Sequence, residues 1–267
     1  MTRGVRMFVY FAITLTVIYG GLVSIVYFNQ RQMIYPAPPV QHGTPAGLER
    51  VTLTTPDRLE LIAGYRRARE GKPTLLFFHG NGASWQSSAQ VTAKLLSHGY
   101  GLLAAEYRGY GGNPGTPSEE GLYQDARGAW NYLRGQGVEG EDIVLVGNSL
   151  GAAVALNLAT EVSARALVLV SPFNNLADTA SRRARWLPMR LLLQDRYASD
   201  EKIVAIGEPI LILHGEEDSL IALEQAQALA SVRDDTVIET YPAWGHDLIV
   251  HEPIQDRIAA FVDSTRA

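Results

Sequence analysis

Between Ile143 and Leu156 an apolar run, Ile143 to Val146, passes through Gly147-Asn148-Ser149-Leu150-Gly151 into a series of small helix formers. A short, continuous apolar run bounded by glycine and followed by helix formers reads as a buried parallel strand feeding a helix. The Gly-x-Ser-x-Gly spacing makes a turn so sharp that only glycine tolerates the crowding two positions either side of the serine. That turns the Ser149 hydroxyl outward at the carboxyl end of the strand. The same letters also describe a glycine-rich turn with Ser149 as a helix N-cap. What separates the two is whether partners for a reactive hydroxyl lie further along the chain.

The rest of the chain repeats the strand-then-helix pattern. Apolar runs at Thr74 to Phe78, Gly101 to Glu106, Ala166 to Val170, Ile210 to Leu213 and Val237 to Tyr241 predict further strands. Helical periodicity falls between most of them, at Trp85 to Ser97, Glu119 to Arg134, Ser149 to Thr160 and Leu223 to Ser231, with a last helix near Ile254 to Phe261. Ahead of these, Leu48 to Thr55 and Leu59 to Arg67 alternate apolar with polar around the turn signal Pro56-Asp57, predicting an antiparallel hairpin at a sheet edge. The expected fold class is therefore α/β, a mostly parallel sheet covered by helices on both faces, with ligands bound beyond the carboxyl ends of the strands. Ser171 to Gly207 breaks the alternation. It reads as a helical cap, about residues 172–206, whose arginines and Trp186 suit an anionic membrane surface as well as a solvated basic face.

The amino-terminal residues differ in character. From Met7 to Phe28 no residue is charged, and at about 1.5 Å per residue the run is long enough to cross a hydrocarbon core of roughly 30 Å. It is too long for the apolar region of a signal peptide, and Asn29 to Tyr35 offers no small-x-small cleavage site, so an uncleaved anchor is expected. The expected organisation is an anchor over 1–30, a proline- and glycine-containing linker over 31–47 and a catalytic-type domain over 48–267. Arg3 and Arg6 precede the run against Arg31 after it, which predicts a cytoplasmic N-terminus with the remainder outside the cytoplasm. No Asn-x-Ser/Thr sequon occurs, which favours the periplasmic side of a bacterial inner membrane over a glycosylating compartment.

A serine hydroxyl becomes a useful nucleophile only when a base takes its proton and a third group orients the base. Of the 6 histidines, His246 in Pro242-Ala243-Trp244-Gly245-His246-Asp247 follows the last predicted strand, on a loop at the carboxyl edge of the sheet. His42 lies in the linker, His98 near a helix end and His251 in or near the last helix. The orienting acid should fall between serine and histidine in the chain, and Glu216, Glu217 and Asp218 all do, directly after the strand Ile210 to Leu213. For a tetrahedral oxyanion, the backbone N–H of Leu150 is one expected donor and that of Asn81, in His79-Gly80-Asn81-Gly82, the other. No metal-ligand spacing and no phosphate-binding glycine loop is present, so neither metal nor cofactor is expected.

Several of these stretches together resemble the α/β-hydrolase superfamily. They are His79-Gly80-Asn81-Gly82, Tyr107-Arg108-Gly109-Tyr110-Gly111, Pro117 to Ala126, Gly147 to Gly151, Ser171-Pro172-Phe173, His214 to Asp218 and Gly245-His246-Asp247. More narrowly, with the apolar run and Arg31-Gln32-Met33-Ile34-Tyr35-Pro36 included, the chain is similar to the membrane-anchored alpha/beta hydrolase domain-containing proteins. The resemblance implies Ser149 as nucleophile, Asp218 as acid and His246 as base, with Asn81 and Leu150 forming the oxyanion hole. Many relatives follow the acid with a Val-Pro-like pair, whereas here Ser219-Leu220-Ile221-Ala222 follows.

Composition bounds the function classes. A net charge of -5 gives no electrostatic reason to expect nucleic acid as a partner. The absence of cysteine excludes disulfides and a thiol nucleophile. The leading expectation is a serine hydrolase of carboxylic esters or thioesters, acting on a small-molecule or lipid acyl substrate, with the N-terminal helix as its membrane contact. A serine aminopeptidase-like amidase is the rival on the same fold. A membrane-tethered binding protein that does not turn over is the rival of a different class.

Overall fold

The computed structural model describes residues 2–265; Met1, Arg266 and Ala267, the outermost residues of the expected anchor and domain, lie outside them. The first element, α1 (Arg3–Ile34), is a single helix of 32 residues. Its apolar window has a mean hydropathy of 2.0 and none of it is buried, so it is long and apolar enough to cross a membrane. The helix continues through residues 31–34 and stops at Tyr35.

Sheet and helices then follow in the expected sequence. The hairpin is β1 (Glu49–Thr54) and β2 (Glu60–Arg66), followed by β3 (Thr74–Phe78), α2 (Trp85–Val91), α3 (Ala93–Ser97) and β4 (Gly101–Ala104). Next come α4 (Glu119–Gly135), β5 (Ile143–Asn148), α5 (Leu150–Ala159) and β6 (Ala166–Val170). The cap contains α6 (Leu176–Arg183), α7 (Met189–Leu192) and α8 (Ser199–Lys202). The chain closes with β7 (Ile210–Gly215), α9 (Leu223–Ala230), β8 (Val237–Tyr241) and α10 (Glu252–Ser264). The helix expected over Trp85 to Ser97 is two helices. Thr92 breaks it, with φ −114° and ψ 6° and its hydroxyl donating to the Ser88 carbonyl, a local bond that competes with the helical ladder.

The 8 strands form one sheet in the order β1-β2-β4-β3-β5-β6-β7-β8. β2 pairs antiparallel with β1 and with β4, and every other pairing is parallel. This is the α/β-hydrolase arrangement that the resemblance implies. Because side chains alternate across a strand, β3 sends Leu75 and Phe77 to one face and Leu76 and Phe78 to the other. The first face packs on Trp85, Leu95, Ile258 and Phe261 of α2, α3 and α10, and the second on Leu122, Leu133, Leu156 and Leu229 of α4, α5 and α9. A sheet buried on both sides leaves its strand ends as the places where loops meet solvent, which is where a site belongs.

Candidate active site

Ser149 stands between β5 and α5 with φ 55° and ψ −116°, a backbone conformation that costs a non-glycine residue energy and persists only where its surroundings hold it. Its N–H donates to the Val170 carbonyl at 2.9 Å, tying the turn to the end of β6, and its carbonyl accepts from Ala152 N–H at 2.9 Å. Gly151 lets α5 start against the end of β3, since a Cβ there would land on the carbonyl oxygen of Phe78. The turn is thus a strained strand-to-helix connection rather than an N-cap: the Ser149 side chain makes no capping hydrogen bond.

Asp218 lies on the loop after β7, with its side chain wholly buried. Its Oδ1 accepts from the N–H groups of Leu220 and Ile221, both at 2.8 Å, and its Oδ2 from His246 Nδ1 at 2.7 Å. Burial alone would raise its pKa, but hydrogen bonds from His246 and those two backbone groups hold the carboxyl below its ordinary value. The segment Ser219-Leu220-Ile221, where the sequence departs from the related pattern, is therefore folded back onto the carboxylate. Gly215 lets the loop after β8 approach, because a Cβ there would meet the Trp244 carbonyl; Glu217 N–H donates to that same carbonyl at 3.1 Å. Glu216 and Glu217 are exposed, Glu216 accepting from Thr240 Oγ1, and neither is hydrogen-bonded to His246.

His246 bridges the two. An ionised carboxylate only accepts, so the proton between Asp218 and His246 resides on Nδ1, leaving the Nε2 lone pair facing Ser149 Oγ at 3.0 Å. The His246 carbonyl accepts from the buried Ser171 hydroxyl at 3.1 Å, fixing the loop from below the ring. Three other histidines lie away from the site. His42 is exposed, His98 faces Asp256 at the surface, and His251 stacks on Trp244.

Asn81 and Leu150 line the same cavity as Ser149, about 290 Å³ in volume. Neither backbone N–H donates to a protein acceptor among the described residues. Gly80 brings the Asn81 loop against the turn, for its ideal Cβ would lie 3.2 Å from that of Ser149. Two buried histidines that the reading of the chemistry did not single out brace these loops. His79 Nε2 meets Glu106 Oε1 at 2.6 Å, while Glu106 also accepts from the N–H groups of Trp85 and Tyr107. His214, whose pKa burial pushes down, donates from Nε2 to the Ile221 carbonyl at 2.9 Å and so holds the acid loop shut. Position in a motif next to a strand end was the available signal for both. Val26, Gln30, Met33 and Ile34 of α1 also line the cavity, and nothing in the triad pattern marks them. Among the described residues no three His, Asp or Glu side chains converge as metal ligands would.

A family profile described as "Alpha/beta hydrolase family" matches residues 75–201. The chain is 35% identical over 258 residues to an uncharacterised protein of Mycobacterium tuberculosis strain H37Rv, covering 92% of each. It is 30% identical over 211 residues to the lysophosphatidylserine lipase ABHD12 of Danio rerio, covering 71% of this chain and 54% of that one. With the human alpha/beta hydrolase domain-containing protein 17C it shares 31% over 204 residues, 74% of this chain and 60% of that one. Among solved structures, the Pyrococcus furiosus esterase Pf2001 superposes with a TM-score of 0.71 at 22% identity, over 85% of this chain and 98% of the esterase, a likeness of fold.

Proposed function

This chain belongs to the alpha/beta hydrolase family and is a hydrolase, and on that premise we propose that it cleaves carboxylic esters or thioesters of a hydrophobic acyl substrate through an acyl-enzyme on Ser149. The observation that carries the reading is the unbroken hydrogen-bond chain from Asp218 through His246 to Ser149, 2.7 Å and 3.0 Å in its two links. In the first half-reaction Ser149 Oγ attacks the acyl carbon and His246 Nε2 takes its proton. The oxyanion that forms is met by the N–H groups of Asn81 and Leu150, and collapse expels the alcohol or thiol, which leaves with the proton from His246. In the second, His246 takes a proton from water, the resulting hydroxide attacks the acyl carbon, and Ser149 regains its hydrogen as the acid departs. Asp218 stays ionised throughout, holding Nδ1–H and stabilising the transient imidazolium.

Residues 1–30 act as the anchor and 48–267 as the hydrolase domain, with the cap over about 172–206. Arg3 and Arg6 keep the N-terminus in the cytoplasm and the hydrolase domain on the other side. A reporter fused to the C-terminus that worked only in the cytoplasm would reverse this orientation. For the chemistry, the test is hydrolysis of a panel of esters, thioesters and amides by the detergent-solubilised chain. Ser149→Ala and His246→Ala should each lose on the order of 10⁶-fold in kcat while remaining folded. A folded wild type that hydrolyses none of the panel would instead fit a tethered binding protein.

A further inference from the structure

The cavity above Ser149 is closed on one side by the membrane helix. Along α1, Tyr19, Val23, Val26, Gln30 and Ile34 recur at helical spacing and face the cap, while large apolar side chains elsewhere on the helix, such as Phe8, Val17 and Phe28, are exposed. The contact is specific at three heights. Tyr19 donates its hydroxyl to the Trp186 carbonyl at 3.0 Å and its ring meets that of Trp186 edge-on. Gln30, only 3% exposed, donates to the Leu192 carbonyl and accepts from Gln194 N–H at 2.8 Å. Past the helix end, Tyr35 donates to Asp195 at 3.0 Å and shares a hydrogen bond with the Tyr197 hydroxyl. A polar side chain buried in an apolar seam with its partners satisfied fixes one register, so α1 is docked rather than loosely tethered.

Between those contacts, Val26, Met33 and Ile34 border the cavity opposite Leu176, Met189 and Leu193 of the cap. Among the described residues, Arg183 is the one charged side chain lining it. The apolar run of α1 ends at Phe28, which is 80% exposed, so the wall formed by Val26 to Ile34 stands where the hydrocarbon core gives way to headgroups. Trp186 and Leu191 of the cap are 56% and 82% exposed beside Arg182, Arg183 and Arg185, the composition of a surface seated in that interface.

We propose that the last turns of α1 are a specificity-determining wall of the acyl pocket, and that the site draws a single-chain lipid ester directly from the leaflet α1 enters. This rests on the reading of Ser149 as the nucleophile. The ester carbonyl sits at Ser149 and the chain runs between Val26 and Met33 on one side and the cap on the other. At about 290 Å³ the cavity lies just under the usual range of ligand sites, room for part of one acyl chain and none for a second.

The test is a series of aryl esters from acetyl to palmitoyl, assayed with the full chain in nanodiscs, after active serines have been counted with a fluorophosphonate. Val26→Trp and Met33→Trp fill the pocket and should move the optimum to shorter chains. The ratio of palmitoyl to butyryl kcat/KM should fall by about tenfold, the worth of a few buried methylenes. Val26→Ala, which only removes atoms, should move it toward longer chains and covers the case in which the larger residue disturbs docking. Phe28→Trp, on the bare face, should leave the profile as it is. If wild type and variants label equally and all share one chain-length profile, α1 is not a wall of the site. If the wild type does not label, it is the nucleophile assignment that fails.

Discussion

Asp218 carries two jobs in one carboxylate, closing its own loop through Oδ1 and orienting His246 through Oδ2. Its pKa is lowered from 3.8, so its share of stability is present above that value and is lost as pH falls through the lower, folded one. Asp218→Asn keeps the shape but removes the charge. We expect kcat to drop on the order of 10⁴-fold as His246 loses its orienting acceptor. The difference in urea midpoint between variant and wild type should be largest at neutral pH and shrink below pH 4, which chemical denaturation at pH 7 and pH 3 would read. The placement of Ser149 and His246 after strand ends, in the order the proposed chemistry requires, was legible from the sequence. The acid was not separable from Glu216 and Glu217 by spacing alone. What separates them is the backward fold of Leu220 and Ile221 onto Asp218, which depends on three-dimensional closure of the loop.

At the scale of elements, Arg108 straps three parts of the fold together. Its guanidinium forks onto Asp57 of the β1–β2 turn at 2.8 and 3.0 Å and reaches Asp125 of α4 at 2.8 Å. The bond from Arg108 pulls Asp57 down to about 2, whereas burial pushes Asp125 up to about 6 against the pull of the same guanidinium. Arg108→Ala should cost about 3–5 kcal/mol, because it leaves the buried Asp125 carboxylate with no charged partner, only the backbone N–H of residue 108. Without Arg108 the folded value of Asp125 rises further above its unfolded 3.8, so the native state takes up a proton as pH falls. The deficit should therefore be greater at pH 8 than at pH 5, and equal deficits from melts at the two values would contradict this account. Strand positions were readable because continuous apolar runs admit few alternatives. The break at Thr92 was not, since a threonine hydroxyl bonding back to Ser88 leaves no mark in hydrophobic periodicity. Nor was the docked face of α1 readable: hydropathy scores lipid and cap alike, and Gln30 and the Tyr19 hydroxyl are too little polarity to mark the stripe that packs there.

For the whole molecule, a two-faced α/β sheet gathers three loops at its carboxyl ends, and the long apolar helix α1 packs on the cap above them. The fold class and the positions of the strands along the chain followed from pattern, because burial on both sheet faces dictates apolar strands alternating with helices. The relation between α1 and the cavity followed only from structure. All of the functional reading depends on Ser149 being activated by His246. The most direct measurement is reaction of the membrane-embedded chain with a fluorophosphonate, followed by mass-spectrometric mapping of the adduct. The account expects one adduct per chain, on Ser149, absent from Ser149→Ala and slowed in His246→Ala. An adduct on another residue, or none on a folded protein, would contradict it.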